Sequence, residues 1–293
     1  MIEKLAPDTP RGIDRMDFQI RPAQHADLAH IRAWAVQESW NPGRYDLEVY
    51  WQQNCLLVGW LDQQPIGCIS AASYGPEFGF LGCYLVDHRH RGHGYGRFLW
   101  DKAISALPAH CIGLEGAVAL QETYLRHGFL KSCLHVRHQL LSRPGASKSE
   151  ALVPIHTLPF KQILAYDTRH SVGMRSHFLR DWLTSPSMQG WGYVQSGELQ
   201  GYGLIRPAEI GYRIGPLFAN TAEVAQQLLS ALLQLPPSSQ PIFMDVPKIN
   251  VQAQPLMQMF DAIPLFSNCR MYKGTIPSLP LQEIYGVTTL EMG

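Results

Sequence analysis

The order of predicted secondary-structure elements repeats once along the chain. Each half predicts a strand, a helix, a two-stranded hairpin, a longer strand, a helix, a short strand, another helix and late strands. The hairpins are alike in detail, because residues 59–61 (Gly-Trp-Leu) before the first turn correspond to residues 192–194 (Gly-Tyr-Val) before the second. Self-similarity of this extent indicates two copies of one structural unit. A chain of 293 residues is long enough for two domains, each with its own core.

Local composition predicts the boundaries between these units. Residues 1–15 are polar and predict a flexible N-terminal extension. The first unit covers residues 16–142, and a stretch rich in Pro, Gly and Ser predicts a linker over residues 143–155. The second unit covers residues 156–293, and we expect it to open with a strand at residues 163–166.

Charge and cysteine usage exclude several classes of protein. The 24 Lys and Arg balance 24 Asp and Glu, so no excess of basic residues favours binding to nucleic acid or to an anionic membrane. No apolar run approaches the roughly 18 residues that span a bilayer, and the N-terminus lacks the features of a signal or transit peptide. The six cysteines are scattered, with no Cys-x-x-Cys pair. We therefore expect a cytoplasmic protein with buried thiols and no nucleic-acid or membrane partner.

One segment has the features of a ligand-binding site. It consists of the strand end at residues 85–86, the glycine loop of residues 87–96, and the helix that follows. Gly92, Gly94 and Gly96 alternate where the helix begins. Glycine permits positive φ and close approach to a ligand, and helix N-termini favour anions. Arg91 and Arg97 add positive charge. These features predict a site for a phosphate or pyrophosphate group.

The spacing of the glycines distinguishes between known phosphate loops. The Gly-x-Gly-x-x-Gly pattern of dinucleotide-binding folds is absent, and so is the Gly-Lys-Ser/Thr of nucleotide-triphosphate loops. The remaining pattern, Arg91-x-x-Gly94-x-Gly96, resembles the acetyl-CoA pyrophosphate loop of the GNAT (GCN5-related) N-acetyltransferase superfamily. The order of elements over residues 16–141 also fits that family. The resemblance implies an α/β fold of the α+β type, with two tandem GNAT-like domains, each a mixed, mostly antiparallel central sheet flanked by helices.

The resemblance also implies roles for individual residues, with acetyl-CoA as the cosubstrate. Leu85 and Val86 would hold its acetyl and pantetheine parts. Tyr124, four residues before Gly128-Phe129, would face the thioester sulfur and donate a proton to the departing thiolate. Residues 116–119 (Gly-Ala-Val-Ala) stand where the family often has a small polar residue. Backbone N–H groups for the pyrophosphate would come from Arg91, Gly92, His93, Gly94, Tyr95 and Gly96.

Direct attack of an amine on the thioester requires a base. Glu77 and Glu115 are candidates, although carboxylates of this kind are more often solvated on the protein surface. On the acceptor side, carboxylates and aromatic residues lie between residues 38 and 51, where they would suit a cationic amine or pack in the core. This set consists of Glu38, Trp40, Tyr45, Asp46, Glu48, Tyr50 and Trp51.

The second unit lacks the glycine loop, and no metal site is predicted in either unit. At the corresponding position the second unit has no Arg-x-x-Gly-x-Gly, and Glu223 would repel a phosphate, so this unit predicts a degenerate copy that covers the acceptor cleft or shields apolar surface. His88, His90 and His93 are compact, but no Cys or carboxylate completes a zinc site beside them.

The most specific function that follows is acetyl transfer from acetyl-CoA to a small-molecule amine. Transfer to a protein lysine or N-terminus is an alternative, as is a non-catalytic acyl-CoA-binding module. A whole additional domain favours a closed pocket, and therefore a small acceptor, over an open groove. Both a monomer and a homodimer are compatible with the sequence.

Overall fold

A computed structural model describes residues 18–107, 110–145 and 149–293, so the predicted extension 1–15 lies outside the described residues. These residues form thirteen strands and eight α-helices. The strands are β1 Phe18–Pro22, β2 Leu56–Leu61, β3 Gln64–Ser73, β4 Phe78–Val86, β5 Cys111–Ala117, β6 Phe129–Leu141, β7 Leu152–Pro154, β8 Gln189–Gln195, β9 Glu198–Pro207, β10 Tyr212–Ala219, β11 Pro241–Pro247, β12 Ile263–Lys273 and β13 Ile284–Gly286. The helices are α1 Leu28–Gln37, α2 Asp46–Gln52, α3 Tyr95–Ser105, α4 Gln121–Arg126, α5 Phe160–His170, α6 Ser176–Thr184, α7 Ala222–Leu232 and α8 Ala253–Met259.

All thirteen strands of the described residues join one sheet that runs through both halves. The strand order is β1-β2-β3-β4-β5-β12-β6-β11-β10-β9-β8-β7, and β13 pairs with β10. The pairs β4–β5 and β10–β11 are parallel, and the other pairs are antiparallel. The sheet is therefore mixed and mostly antiparallel, as the resemblance implies.

The two halves exchange their last long strands. Strand β12 of the second half lies between β5 and β6, where Cys269 pairs with Gly116. Strand β6 of the first half lies between β12 and β11, where Arg137 pairs with Asp245. The sequence units 16–142 and 156–293, which we keep as proposed boundaries, are thus interlocked. Residues of the second half consequently reach the central part of the first.

The parallel strand pairs open into two clefts. Strands β4 and β5 pair only as far as Leu81 and Leu114 and then separate. Strands β10 and β11 pair as far as Ile214 and Met244. Beyond that point β13 pairs with β10, and the N–H of Val287 donates to the Asp245 carbonyl of β11 at 3.0 Å. The chain itself therefore fills the second cleft and leaves the first cleft between β4 and β5.

Local predictions differ from the structure in two places. Residues 163–166 lie in helix α5, so the predicted strand there is wrong. The buried residues of that helix are Ile163, Tyr166, Asp167 and His170, which have helical spacing. A short strand, β7, occupies part of the predicted linker and pairs with β8. Gly128 follows α4 with a φ of +84°, the left-handed conformation that glycine commonly adopts after a helix.

The interface between the halves has both apolar and charged contacts. The largest apolar cluster includes residues of both, and Tyr50 stacks on Trp182 with ring centroids 6.4 Å apart. Asp46 accepts two hydrogen bonds from Arg206, at 2.7 and 2.9 Å, and the pair is buried. All six cysteines are buried free thiols. No helix in the described part of the chain has the length and hydropathy required to cross a bilayer.

Candidate active site

The glycine loop connects the end of β4 to the start of α3. Gly92 and Gly94 have φ values of +77° and +86°, and Gly94 is the residue that precedes α3. Glycine adopts such angles without strain, which explains Gly92 and Gly94, whereas Gly96 lies within α3. Helix α3 has 11 residues, and the N–H groups of its first turn open toward this loop. Backbone N–H groups and the helix dipole therefore meet at a point that suits a diphosphate.

Side chains of the glycine loop form hydrogen bonds with neighbouring elements of the first half. Arg91 donates from Nε to the Val86 carbonyl at 2.8 Å and from Nη2 to Oε1 of Glu38 at 2.6 Å. Asp87 accepts hydrogen bonds from the backbone and side chain of Arg89, which hold the pKa of the Asp87 carboxyl well below its ordinary value. The carboxylate also accepts from the indole of Trp34. The position of the loop is therefore fixed by charged contacts that sequence reasoning did not find.

The cleft between β4 and β5 contains a cavity of about 440 Å³, called here the β4–β5 cavity. The first half contributes residues 81–84 of β4, Glu115 of β5 and Tyr124 of α4. The second half contributes residues 266–268 of β12 together with residues 290–291. Both halves of the chain therefore contribute residues to the walls of this cavity.

The part of β4 that lines the cavity precedes the predicted one. Leu85 and Val86 are both 4% exposed and lie outside the lining of the cavity. The lining includes Cys83, whose φ is +46° and which lies where the register between β3 and β4 shifts. A bulge of this kind bends the strand and interrupts its hydrogen-bond ladder. Backbone groups of β4 available to a ligand are therefore expected near Cys83.

Tyr124 lines the cavity on the side of α4. Its ring stacks on Trp100 with centroids 5.6 Å apart and meets the edge of Phe129. Burial raises the pKa of Tyr124 to about 12, so the phenol stays protonated at neutral pH. Among the described residues, we find no hydrogen-bond partner for its hydroxyl. A Cβ on Gly116 would lie 2.5 Å from the Tyr124 ring, which explains why glycine stands at residue 116.

Glu115 is in the cavity lining but belongs to a buried ion cluster. Its Oε1 lies 2.5 Å from Nε of Arg270 and 2.6 Å from Nδ1 of His135. Burial alone would raise the pKa of Glu115, but His135 and Arg270 outweigh it and the pKa is lowered. Burial opposes the charged form of His135 as well, yet Glu115 dominates and raises the pKa of His135 to about 9. Two cations therefore already neutralise this candidate base.

Glu77 is not brought to the cavity. It is exposed on the turn before β4, and the cavity begins only at Leu81. Strand β4 has 9 residues, so its two ends are about 25–30 Å apart. The glycine loop follows the far end. Glu77 and the glycine loop thus lie at opposite ends of the same strand.

Most of the residues predicted on the acceptor side make structural contacts outside the cavity. Tyr50 is in the core, Asp46 pairs with Arg206, and Glu48 lies 3.6 Å from Arg32. Trp51 donates from its indole to the Ala23 carbonyl at 2.9 Å. Of that set, only Glu38 and Trp40 line the cavity. The aromatic and acidic pattern therefore gives no support for a cationic acceptor.

Several lining residues were missed in the sequence, among them Arg137, Phe266 and Glu291. Arg137 makes paired hydrogen bonds to Asp245, each 2.8 Å long, and the pair is buried. A charged residue within the β6 strand was a signal for such a role. Phe266 and Glu291 carried no signal, since Phe266 reaches the first half only on the exchanged strand β12 and Glu291 only on the segment after β13. Among the described residues, no cluster of His, Cys, Asp and Glu could hold a metal ion.

Comparison with known proteins agrees with this architecture. Residues 25–129 match the acetyltransferase (GNAT) family, and residues 163–286 match an acetyltransferase (GNAT) domain. A Pseudoalteromonas protein named holothin acyltransferase is 25% identical over 277 residues, which cover 93% of this chain and 94% of that protein.

Two solved structures show that the fold extends over the whole chain. A protein from Pyrococcus horikoshii superposes with a TM-score of 0.82 at 19% identity, covering 98% of this chain and 100% of that one. A tandem GNAT protein from the clavulanic acid biosynthesis pathway superposes with a TM-score of 0.65 at 12% identity, covering 89% and 100%. With one matching domain in each half and a glycine loop in the first alone, this chain belongs to the tandem GNAT superfamily and is an acyl-CoA-dependent acyltransferase.

Proposed function

We propose that the protein transfers an acetyl group from acetyl-CoA to the amine of a small molecule, in the β4–β5 cavity. The observation that carries the proposal is that a single strand, β4, lines this cavity at residues 81–84 and leads directly into the glycine loop. With its diphosphate bound at the glycine loop, acetyl-CoA would thus extend along β4 and place its thioester in the cavity.

The residues on the donor side fit acetyl-CoA as a substrate. Gly92 and Gly94 allow the backbone of the loop to turn around a diphosphate, and α3 directs its N-terminal N–H groups to the same place. The bulge at Cys83 would aim a backbone N–H at the thioester oxygen, where negative charge develops during attack. Leu85 and Val86 would support this strand from the core rather than bind the acyl group directly.

Chemistry in the cavity requires attack by a neutral amine and departure of a thiolate. The amine nitrogen forms a bond to the carbonyl carbon, and the electron pair of the broken C–S bond goes to sulfur. Tyr124 would donate its proton to that sulfur, because the phenol is protonated and lies in the cavity wall. Its buried ring, stacked on Trp100, would hold the hydroxyl in place.

The size of the cavity favours a small acceptor. A volume of about 440 Å³ is in the range of small-molecule sites. Both halves enclose it, which leaves less room for a lysine within a folded protein. The lining is rich in aromatic rings, including Trp40, Trp100 and Phe266, so an acceptor with apolar surface would fit.

Binding of acetyl-CoA can be tested with a matched pair of variants. Gly94→Glu places a side chain at a φ of +86° and a negative charge beside the diphosphate, so calorimetry should detect no binding. Gly75→Glu is the control, because Gly75 has a φ of +99° on the turn before β4, at the opposite end of that strand from the loop. Equal affinity in both variants would contradict the proposed donor site.

Transfer is tested by the release of free thiol from acetyl-CoA with a panel of small amines, followed by mass spectrometry of the amide. Thiol release that depends on one class of amine supports the proposal. Tight binding of acetyl-CoA without amide from any small amine or lysine peptide would instead indicate a binding module. Transfer to peptides alone would indicate a protein acetyltransferase.

A further inference from the structure

We infer that Glu291, which the second half carries into the β4–β5 cavity, accepts the proton that the acceptor amine loses. This inference rests on the proposed function and names a catalytic group on the acceptor side of the same cavity. Glu291 belongs to the segment 287–293, which follows β13 and leaves the filled second cleft for the first half.

The path of the segment places Glu291 at the point where β4 leaves β5. Its backbone passes so close to β4 that a Cβ on Gly82 would lie 1.9 Å from the Glu291 carbonyl oxygen. Gly82 directly follows Leu81, the last residue of β4 that pairs with β5, and precedes the bulge at Cys83. Glu291 is therefore next to the place proposed for the thioester carbonyl.

Further contacts hold the segment in this place. The hydroxyl of Ser70 donates to the Glu291 carbonyl at 3.4 Å, and the hydroxyl of Tyr74 donates to the Met292 carbonyl at 2.7 Å. Arg175 donates to the Gly293 carbonyl at 2.7 Å. The segment thus has defined partners in β3, in the turn before β4 and in the second half.

The carboxylate of Glu291 has one oxygen fixed and one available. Oε2 accepts hydrogen bonds from the hydroxyls of Thr289 and Tyr50. The nearest cation to Oε1 is Arg213, at 3.9 Å, and Arg213 makes its short contact of 2.8 Å with Asp245 instead. In the described part of the chain no hydrogen bond to Oε1 is found, and the side chain is 11% exposed in the cavity lining. Oε1 can therefore receive a proton from a bound amine.

The other two carboxylates of the cavity are less suited to this step. Glu38 forms a 2.6 Å contact with Arg91. Glu115 shares its Oε1 between Arg270 and His135, both within 2.6 Å. A carboxylate oxygen that a cation contacts at this distance is already occupied and is not open to a bound amine. Glu291 is the carboxylate of this cavity without such a contact among the described residues.

The step balances without any additional reactant. The amine nitrogen forms the C–N bond, the C–S bond breaks, and one proton passes from nitrogen to Oε1 of Glu291. The thiolate receives a different proton, from Tyr124. After the amide and the thiol leave, Glu291 releases its proton to water and Tyr124 regains one.

The test compares Glu291→Gln and Glu291→Asp with Glu283→Gln, a partly exposed carboxylate of the same half outside the cavity lining. Glu291→Gln should lower kcat about 100-fold or more while the Kd for acetyl-CoA stays the same. Glu291→Asp should recover part of the rate, and Glu283→Gln should retain all of it. A Gln variant as active as the Asp variant overturns the inference.

Rescue by a small carboxylate separates a chemical role from a structural one. Sodium formate should restore activity to Glu291→Ala by about tenfold and should not change Glu283→Ala. Lack of rescue in a folded Glu291→Ala variant, checked by its thermal unfolding curve, overturns the inference. If the wild-type protein acetylates no amine, the proposed function itself fails, whereas an active wild type with an equally active Glu291→Gln refutes only the role of Glu291.

Discussion

Arg91 and Glu38 form an ion pair of 2.6 Å that joins the glycine loop to the residue after helix α1. Glu38 also lines the β4–β5 cavity. One contact therefore links the proposed donor loop with the wall of the proposed acceptor site. Both side chains are mostly buried, at 17% and 15% exposed, so the pair is less screened than one on the surface.

We predict that Glu38→Gln weakens the binding of acetyl-CoA. Loss of the carboxylate removes the 2.6 Å contact of Glu38 with Arg91 and loosens the loop, which should raise the Kd roughly tenfold. Calorimetry with acetyl-CoA measures this effect. Glu48→Gln is the control, because Glu48 forms a longer, more exposed contact with Arg32 and should leave the Kd unchanged. Equal Kd values for the two variants would show that the ion pair does not order the loop.

Tyr124→Phe should lower turnover and spare affinity. The substitution removes the proposed proton donor and keeps the ring that stacks on Trp100, so kcat should fall about 100-fold. The Kd for acetyl-CoA and the thermal unfolding temperature should stay the same. Tyr193→Phe, on β8 outside the cavity lining, serves as the matched control. A Tyr124→Phe enzyme with wild-type turnover would exclude the phenol as the acid.

The cluster of Glu115, His135 and Arg270 predicts that stability depends on pH. The pKa of His135 is about 9 in the folded protein, against an ordinary value of 6.5. Its contribution to the free energy of unfolding is therefore complete below pH 6.5 and is lost as the pH rises to about 9.

Urea unfolding between pH 6.5 and 9.5 measures this dependence. His135→Asn should flatten the fall in the free energy of unfolding over that range. The exposed His156 provides the control, and His156→Asn should keep the wild-type slope. The same slope in all three proteins would mean that His135 is not charged in the fold.

Removal of one member of the buried pair between the halves should be costly. Asp46→Asn leaves the Arg206 guanidinium buried beside a neutral amide, and we expect a loss of about 3–5 kcal/mol in the free energy of unfolding. Asp101→Asn breaks an exposed pair with Arg97 and should cost less than about 0.5 kcal/mol. Chemical denaturation of both variants gives the comparison. Similar losses would mean that solvent reaches the Asp46 pair in solution.

Much of the fold could be predicted from local patterns. Apolar periodicity and glycine spacing predicted the duplicated units, the strand before the glycine loop and the helix after it. The strand predicted at residues 163–166 failed because a short apolar run fits either a strand or one turn of a buried helix. The helical spacing of buried residues becomes visible only in a longer stretch of sequence that reaches His170.

The candidate site was only partly predictable, because its parts are distant in sequence. The glycine loop and Tyr124 could be placed from motifs near one another. Phe266 and Glu291 could not, since Phe266 enters the cavity on the exchanged strand β12 and Glu291 on the segment after β13, and no local pattern encodes partners so distant in sequence. Glu77 lies outside the cavity for a related reason. The sequence predicts the strand that follows Glu77, but it does not predict at which end of that strand the cavity opens.

The exchanged strands have a consequence for synthesis of the chain. Strand β5 of the first half acquires its second neighbour only when β12, ending at Lys273, has left the ribosome. Until then a nascent chain exposes the unpaired edge of β5 and an unfinished cavity wall, the kind of surface that chaperones bind and that leads to aggregation. Production of the first half by itself would leave that edge permanently open, so co-expression of both halves is the minimum for an active split enzyme.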